Sequence, residues 1–566
     1  MKVLGISPLD KDSTVSIVED GVVLFAAGEE RFSRSKQQDG FPWRAVERAL
    51  DYTNTSPGDI DSVVYPFLSC EKEARLFEKN ISNERSFIGE FETPELNSAI
   101  SEALARVPQR EGSIHGLSNA NAKCEKSVFH KTFYSLIGGD SPFSKIASKS
   151  RSASWAQSAN SAFRFWQQDL DAGLRDFGLD KKLKRMDHHL SHAANCFYTS
   201  GLDEALCITL DGYGTGLAGS VSLAKDGKIT RLHGVEFPHS LGSLYEQVTS
   251  SLGYRPGRHE GKIVGLAAYG DPTILANILL DRIEQTPGDF RIFGSNNVFF
   301  SRYLASKFPK IDVAAAYQHV LEVVATNYIR HWVEKTGVSA VVLSGGVTAN
   351  VKLNQRIFEL EAVDRIFVYP NMGDGGCGTG AALYHSCRGS QTPGMGNAYL
   401  GPDFSETEIA KVLKNAGLAY SKPAHQAALI AATINDGGVV ARFDGRMEYG
   451  PRALGNRSIL YHAREPEVNQ WLNKKMGRTE FMPFAPVTLY EDREIYYHNV
   501  KGAEHAAEFM TITFDCTERM KQECPAAVHV DGTARPQLIR RAVNPGYYDI
   551  LSEYKKISGS SSLINT

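Results

Sequence analysis

Residues 205–232 read ALCITLDGYGTGLAGSVSLAKDGKITRL and predict three strands in a definite order. The mostly apolar run 205–210 is typical of a buried strand, and the glycine-rich segment 211–216 that follows predicts a loop. Residues 219–224 and 228–232 are joined by an Asp-Gly pair, which favours a two-residue hairpin turn. The stretch therefore predicts a strand, a glycine loop and a hairpin in succession.

The same pattern occurs at the start of the chain. Residues 2–7 predict a strand, and residues 13–27 predict a hairpin around a second Asp-Gly pair. Each copy has an aspartate near the carboxyl end of its first strand, Asp12 in one and Asp211 in the other. Two similar α/β halves facing a cleft form the layout of actin, the sugar kinases and the Hsp70 ATPase domain. The alternative is chance similarity of two hairpins.

We expect two α/β domains joined by a linker. The first covers residues 1–385 and carries a helical insertion at about 71–183, where the pattern is polar and mostly helical. Residues 386–397 are rich in Gly, Ser and Pro and form the predicted linker. Residues 398–566 form the second α/β domain.

Composition excludes several classes of protein. The chain has 566 residues, 42% hydrophobic, and a formal net charge of −3, so no global basic field attracts nucleic acid. Its eight cysteines form no Cys-x-x-Cys pair, which argues against a zinc ribbon or a disulfide framework. No stretch approaches about 18 uninterrupted apolar residues, and no signal peptide is expected. We therefore expect a cytoplasmic protein with neither a nucleic-acid nor a membrane partner.

Two histidines four residues apart, His188 and His192, precede a helical pattern and would share one helix face. Such a pair is more often incidental than a metal site. Asp211 and Asp374, each in a glycine loop after a buried strand, would complete a site for a divalent metal with open positions. The sequence thus offers these four residues as candidate metal ligands.

Glycine loops after three predicted strands are candidates for phosphate contact. They contain Gly212 and Gly214, then Gly345 and Gly346, and then residues 373–380. Residues 260–270 add a lysine in a predicted glycine-flanked turn, for which an ordinary exposed loop is the alternative. Each loop alone is a weak signal, but their shared place at strand ends is a stronger one.

Residues 442–458 read RFDGRMEYGPRALGNRS and hold four arginines interrupted by glycines and a proline. No helix or strand period fits this segment. Arginine forks and glycine-exposed amides both suit phosphate or carboxylate, so the segment predicts a pocket for a small anion. A charged surface loop is the alternative. Arg478, beside a Pro-framed aromatic segment, and the turn with Thr533 and Arg535 are predicted to join the same pocket.

The chain resembles the O-carbamoyltransferase family that includes nodulation protein U and the cephamycin, novobiocin, geldanamycin and tobramycin carbamoyltransferases. The resemblance rests on residues 29–36, 188–192, 211–216, 260–270, 344–350, 371–382, 397–402, 445–460, 479–486 and 529–537. These motifs extend over nearly the whole chain, and the run 445–460 is the most specific of them.

The resemblance implies two catalytic stations. The C-terminal domain, similar to YrdC-type synthases, would form carbamoyl adenylate from carbamoyl phosphate and ATP with Mg²⁺. The N-terminal domain, similar to threonylcarbamoyl transferases, would pass the carbamoyl group to a small-molecule acceptor, expected to be a secondary-metabolite hydroxyl. A homodimer is a further expectation.

The resemblance also implies residue roles. His188, His192, Asp211 and Asp374 would bind an iron-like divalent metal, Fe²⁺. Arg452, Arg478 and Arg535 would be catalytic. The residues expected to contact nucleotide or carbamoyl phosphate are Gly212, Gly214, Gly345, Gly346, Asn350, Arg446, Asn456, Arg457, Ser458, Lys474 and Thr533.

The chain departs from the family pattern in three places. Relatives commonly have His-Asp-Ser where this chain has Lys11-Asp12-Ser13, and the histidine would be the base for the acceptor hydroxyl. Either Lys11 has a depressed pKa, or Asp12 serves, or the acceptor is an amine or acid. Gly477 precedes Arg478 where relatives often have lysine, with Lys474 a turn upstream. Relatives also continue past the residues equivalent to Thr566, so we expect part of the C-terminal pocket to lie beyond it.

Three alternatives remain at this point. A transferase acting on tRNA-bound threonine would share the fold, but the near-neutral charge weighs against it. A hydrogenase-maturation carbamoyltransferase would carry cysteine-rich zinc fingers, which this sequence lacks. A non-catalytic module that only binds nucleotide or carbamoyl phosphate is the alternative from another class.

Overall fold

The computed structural model describes residues 1–92, 95–114, 116–117, 119–387, 389–390, 394–477 and 479–566. The first part of the chain contains the strands β1 (Lys2–Ile6), β2 (Thr14–Glu19), β3 (Val22–Gly28), β4 (Ser62–Tyr65) and β5 (Leu183–Arg185). Its helices are α1 (Glu30–Ser33), α2 (Trp43–Tyr52), α3 (Cys70–Glu90), α4 (Leu96–Arg106), α5 (Val128–Gly138) and α6 (Pro142–Asp176). The strands form one sheet in the order β3-β2-β1-β4-β5.

The second part begins with α7 (His188–Ser200) and repeats this arrangement. Its strands are β6 (Glu204–Gly214), β7 (Leu217–Lys225), β8 (Lys228–Glu236), β9 (Ile283–Thr286), β10 (Asp289–Ile292), β11 (Ala340–Ser344) and β12 (Arg365–Val368). Its other helices are α8 (Leu241–Ser251), α9 (Glu260–Ala267), α10 (Ala276–Leu280), α11 (Val298–Lys307), α12 (Lys310–Thr336), α13 (Val351–Phe358) and α14 (Cys377–Cys387).

The five-stranded sheets of these first two parts share one topology. The second sheet has the order β8-β7-β6-β11-β12, which matches the first strand for strand. In both sheets the first strand is antiparallel to the hairpin strand and parallel to the fourth. The predicted duplication is therefore confirmed, and so is the α/β fold class.

The hairpin turns explain why the repeat was visible in the sequence. Asp20 and Gly21 have φ angles of 48° and 81°, and Asp226 and Gly227 have 51° and 75°. Two consecutive positive φ angles define the tight turn that matches strand twist, and Asp-Gly is the pair that tolerates it best. These two Asp-Gly pairs therefore favour the hairpin turns through their own backbone preferences.

Helix α14 lies against β1 and α7 and brings the two halves together. A Cβ atom on Gly5 would lie 2.0 Å from the carbonyl oxygen of Gly378, and one on Gly380 would lie 2.0 Å from that of Ser191. Only glycine leaves room for these backbone approaches. The start of α14 is therefore held beside α7, whose first turn carries the candidate histidines.

Two local predictions were wrong. Residues 211–214 are not a loop, because β6 continues to Gly214 past an irregularity in its pairing with β7, and the turn is confined to Thr215 and Gly216. Residues 260–267 are not a turn but helix α9, in which every residue from Lys262 to Ala267 is buried. In both cases tertiary packing overrides the local preference of glycine.

The helices α3–α6 lie between β4 and β5, in the region predicted to be a helical insertion. Glu84 of α3 is buried there, and burial is the main influence on its pKa, raising it to about 7. The nearby Ser152 hydroxyl lowers this pKa only in part.

The Glu84→Gln variant should therefore be more stable than the wild type at pH 8. Because the folded-state pKa is raised, wild-type stability falls as the pH rises from about 5 to about 7. The gain should approach about 3 kcal/mol at most, since each pKa unit corresponds to roughly 1.4 kcal/mol. Urea denaturation at pH 5 and pH 8 measures it, with the exposed Glu78→Gln as control. A gain of equal size at both pH values would contradict the assignment.

The last part of the chain forms a separate mixed α/β domain. Its strands are β13 (Val440–Phe443), β14 (Arg457–Tyr461), β15 (Ala485–Leu489), β16 (Phe514–Asp515), β17 (Thr533–Ala534), β18 (Gln537–Ile539) and β19 (Ser562–Asn565). Its helices are α15 (Glu406–Asn415), α16 (Gln426–Asn435), α17 (Val468–Lys475), α18 (Arg493–Tyr496), α19 (Glu504–Ala507), α20 (Glu518–Glu523) and α21 (Pro545–Ser558). The main sheet has the order β13-β14-β19-β15-β18, so the final strand is central.

The predicted linker at 386–397 begins at the end of α14, and residues 388 and 391–393 of it lie outside the described residues. Among the helices that the structure describes, none combines the length and the apolar character needed to cross a bilayer.

Candidate active site

The side chains of four predicted metal ligands meet in one buried cluster. The Nε2 atoms of His188 and His192 are 3.1 Å apart, and Asp211 Oδ2 lies 3.1 Å from the first and 3.5 Å from the second. Asp374 Oδ1 is 3.6 Å from both Nε2 atoms. The structure thus gathers residues of α7, β6 and the turn before α14 around one point.

Cys377 also belongs to the cluster, and the sequence analysis missed it. Its Sγ atom lies 3.2 Å from His192 Nε2 and 4.0 Å from His188 Nε2. His188, His192, Asp374 and Cys377 place one ligand atom each within 4.8 Å of one another. The sequence could have indicated Cys377 as a further candidate ligand, because it lies three residues after Asp374 in the same glycine-rich run.

The Nδ1 atom of each histidine, on the ring edge that faces away from the cluster, contacts an oxygen atom of the protein. The Nδ1 atom of His188 lies 3.3 Å from the carbonyl oxygen of Pro66, and that of His192 lies 2.9 Å from Ser344 Oγ. If each Nδ1 carries the proton, both Nε2 lone pairs point into the cluster. Outer hydrogen bonds of this kind orient histidine ligands in metal sites.

The charges of the cluster favour a cation at its centre. Burial lowers the pKa of His188, but the charges of Cys377, Asp211 and Asp374 outweigh it and hold that pKa well above its ordinary value. Asp374 Oδ1 is buried and has no hydrogen-bond partner among the described residues. Imidazole, sulfur and carboxylate donors around one point suit a divalent transition metal, so the residues fit the predicted ion.

The Cys377→Ser variant should bind the metal at least about tenfold more weakly, because a hydroxyl is a poorer ligand than a thiolate for such an ion. Equilibrium dialysis with Fe²⁺ or Zn²⁺ measures the dissociation constant. Cys387→Ser is the matched control, since Cys387 is also buried at the other end of α14. Unchanged affinity in Cys377→Ser would remove Cys377 from the ligand set.

The glycines predicted to contact nucleotide have packing roles around the cluster. A Cβ atom on Gly214 would lie 2.0 Å from His188 Cδ2, and one on Gly345 would lie 2.2 Å from the carbonyl oxygen of Leu210. The Gly346 amide donates a hydrogen bond of 3.0 Å to Asp211 Oδ1, whereas Gly212 faces open space. Asn350 caps α13. Their contact with nucleotide stays a prediction.

Lys11 lies beside the cluster but is unsuited to be a base. Its Nζ atom is 3.7 Å from Asp374 Oδ2, and the charge of Asp374 raises the pKa of the lysine. This disfavours the alternative in which Lys11 has a depressed pKa. Burial raises the pKa of Asp12 to about 6, whereas Asp10, which the sequence analysis did not single out, is exposed. Carboxylates with such a pKa are better bases near neutral pH.

The arginine segment is not the open anion pocket that its composition suggested. Glu448 is buried and its Oε1 atom accepts backbone hydrogen bonds from Leu454, Asn456 and Arg457. The amide nest predicted for an external anion is therefore filled by the segment's own carboxylate. Carboxylate and phosphate compete for the same kind of donor.

Most side chains of this segment bind other parts of the protein. Arg446 donates to the carbonyl oxygens of Leu24, Leu400 and Gly401, which ties the two domains together. Arg442 and Arg457 donate to oxygens within the segment. Asn456 bonds both the Arg446 carbonyl and Arg442, and Ser458 accepts from the Gly455 amide. Because these arginine N–H groups already bind protein oxygens, few of them are available to bind an external anion.

Arg452 differs from the other arginines of the segment, because the hydrogen bond that it donates to the N-terminal domain is long. One of its Nη atoms lies 3.4 Å from the carbonyl oxygen of Ala349, and its buried Nε atom has no hydrogen-bond partner among the described residues. Burial lowers its pKa to about 10, so it remains a cation at neutral pH. Of the segment's arginines it is the best placed to bind an external anion.

Of the other residues predicted for the anion pocket, only some lie near Arg452. Thr533 Oγ1 donates to Asp531, which pairs with Lys352 at 2.9 Å, so this turn meets α13 near Ala349. Arg535 is half-buried between β17 and β18, and Lys474 is exposed near the end of α17. Arg478 lies outside the described residues.

Two family models match the chain. The model of the carbamoyltransferase N-terminus matches residues 2–383, and that of the carbamoyltransferase C-terminus matches residues 431–566. They include both the buried cluster around His188 and His192 and the arginine segment.

Individual known proteins are similar to this chain at sequence identities of 28% or less in the following examples. Nodulation protein NolNO of Sinorhizobium fredii is 28% identical over 98% of this chain and 73% of its own length. The 3'-hydroxymethylcephem-O-carbamoyltransferase of Streptomyces clavuligerus is 28% identical over 54% of this chain and 57% of its own. Among solved structures, component A of (R)-2-hydroxyglutaryl-CoA dehydratase from Acidaminococcus fermentans has 12% identity over 69% of this chain and 99% of its own, with a TM-score of 0.33.

Proposed function

The chain belongs to the carbamoyltransferase family, and from this premise we propose that it makes carbamoyl adenylate and transfers its carbamoyl group to a small-molecule hydroxyl. Water first releases phosphate from carbamoyl phosphate and leaves carbamate. A carbamate oxygen then attacks the α-phosphorus of ATP, and pyrophosphate leaves. Finally the acceptor oxygen bonds to the carbamoyl carbon, the bond from that carbon to the AMP oxygen breaks, and the hydroxyl proton passes to a carboxylate.

The observation that carries this proposal is a direct contact between the arginine segment and both loops around the cluster. The Tyr449 hydroxyl donates a hydrogen bond of 2.6 Å to the carbonyl oxygen of Gly375, next to Asp374. Arg452 reaches Ala349, three residues from Gly346, whose amide bonds to Asp211. An adenylate formed beside Arg452 would therefore have a short path to the cluster, which suits an intermediate that water would hydrolyse.

His188, His192, Asp211, Asp374 and Cys377 would hold the divalent metal, with Fe²⁺ as the proposed ion. When bound there, such an ion would polarise the carbamoyl carbonyl and offset charge on the departing phosphate. Arg452 would bind phosphate oxygens during adenylate formation, because a guanidinium partly removed from water binds an anion strongly. Asp12 is our proposed acceptor for the hydroxyl proton, in place of Lys11.

The test incubates the protein with ATP, Mg²⁺ and labelled carbamoyl phosphate, and follows pyrophosphate and carbamoyl adenylate. The proposal expects one pyrophosphate and one phosphate per adenylate formed. Binding of ATP and carbamoyl phosphate without pyrophosphate release would instead support a non-catalytic binding module. Transfer that Asp12→Asn leaves intact would show that the proton goes elsewhere.

A further inference from the structure

A cavity of about 280 Å³ opens directly onto the metal cluster. Asp10, Lys11, Asp211 and Asp374 are among the polar residues that line it, at the end next to the cluster. If carbamoyl transfer takes place at this cluster, as the proposed function has it, the acceptor must bind in this cavity. The shape and chemistry of the cavity then limit which acceptors fit, and the inference below rests on that proposed function.

Aromatic side chains form a large share of the remaining wall, beside polar residues that include Gln167, Arg185 and Glu246. Phe67, Phe77, Trp155, Phe163, Trp166 and Tyr213 all line it. Phe77 is fully buried, whereas the other five rings remain partly exposed. Partly exposed aromatic rings around a cavity are typical of small-molecule sites.

Helix α6 of the insertion supplies one side of this wall. Trp155, Ala159, Phe163 and Trp166 follow each other at helical spacing and all line the cavity. The alanine leaves space between the rings. The helical insertion, in which the sequence shows no recognisable chemistry, therefore forms part of the site.

The aromatic wall is in contact with the cluster itself. The ring of Phe67 lies 4.7 Å from that of His188 and 6.0 Å from that of Phe163. Tyr213, two residues after Asp211, stacks near Phe67 at 6.4 Å and donates its hydroxyl to the buried Glu73 of α3. A molecule that stacks on these rings would have its other end beside Asp211 and Asp374.

We infer that the acceptor is a planar aromatic alcohol whose ring system stacks on the α6 wall while its hydroxyl lies at the cluster. A cavity of about 150 Å³ holds benzene, so a cavity about twice that size suits a compound of two fused rings. Stacking of a flat ring on aromatic side chains favours it over a saturated ring of the same size.

The test compares two probes on the full chain, 2-naphthalenemethanol and its fully saturated decahydro counterpart. They carry the same hydroxyl and differ in planarity and π-electrons. Calorimetry should give roughly two- to tenfold tighter binding of the aromatic probe, since aromatic pairs contribute about 0.5–1.5 kcal/mol beyond buried area. The aromatic probe should also become the better carbamoylated one when ATP and carbamoyl phosphate are supplied.

Matched variants locate the site. Phe163→Ala should lose most of the preference for the aromatic probe. Phe143→Ala should keep it, because Phe143 lies on the same helix, is 59% exposed and is absent from the cavity wall. A preference that survives in Phe163→Ala, or equal binding of the two probes by the wild type, overturns the inference.

Failure of the inference and failure of the proposed function give different results. Pyrophosphate release with no preference for the aromatic probe overturns only the acceptor class. Selective binding of the aromatic probe without any pyrophosphate release overturns the adenylate chemistry but supports the aromatic site.

Discussion

The His192→Ala variant should lose carbamoyl transfer and keep pyrophosphate release. His192 Nε2 lies within 3.6 Å of His188, Asp211, Asp374 and Cys377, so its removal takes away a shared donor of the cluster. Without that donor the metal is bound more weakly and the carbamoyl carbonyl is no longer polarised. We expect transfer to fall by at least about 10²–10³-fold, as when an electrostatic stabiliser of the transition state is removed.

Three measurements check this expectation. Pyrophosphate release from ATP and carbamoyl phosphate reports the C-terminal station, carbamate-ester formation from supplied carbamoyl adenylate reports the N-terminal station, and metal analysis reports ions bound per chain. His385→Ala is the control, because this half-buried histidine of α14 lies away from the cluster. If His192→Ala kept both its metal and its transfer rate, the cluster would not be the transfer site.

The Arg452→Ala variant should show the opposite pattern. Arg452 is partly removed from water, remains a cation at neutral pH and keeps an Nε donor without a partner among the described residues. Removing one such donor from a charged transition state costs about 10²–10³-fold in rate. We expect pyrophosphate release to fall by this factor, while transfer from supplied carbamoyl adenylate stays close to the wild-type rate.

Arg519→Ala is the control for loss of positive charge in the same domain, since Arg519 is exposed and forms an ion pair with Glu523 one turn later on α20. Arg452→Lys refines the test, because lysine keeps the charge but not the planar fork. Recovery of pyrophosphate release in Arg452→Lys would indicate that charge alone is needed. Equal loss of both activities in Arg452→Ala would instead mean that Arg452 mainly holds the two domains together through Ala349.

Much of the architecture was predictable because it depends on local patterns. An Asp-Gly pair directly between two strand-like runs favours a two-residue hairpin, and two such hairpins revealed the duplication. His188 and His192 were recognisable for the same reason, since helical spacing alone places them on one face. Asp211 and Asp374 followed from the rule that parallel sheets present their sites at strand ends.

Other predictions depended on contacts that no local pattern encodes. Segment 442–458 has the composition of an anion pocket, but whether its amides are free depends on where Glu448 points. Lys11 looked like a candidate base until the position of Asp374 was known. Strand β6 passed through a glycine-rich segment because β7 lies beside it and pairs with it.

The sequence by itself determined the duplicated α/β fold, the two histidines and two aspartates of the cluster, and the family, because these are properties of short motifs and their order. Only the tertiary structure decided that Cys377 joins His192 across 185 residues, that Arg452 faces the N-terminal domain and that the rings of α6 line a cavity at the cluster. The physical reason is that such contacts arise from packing between distant elements. The close backbone approaches at Gly5 and Gly380, which hold α14 against β1 and α7, exist only in the folded chain.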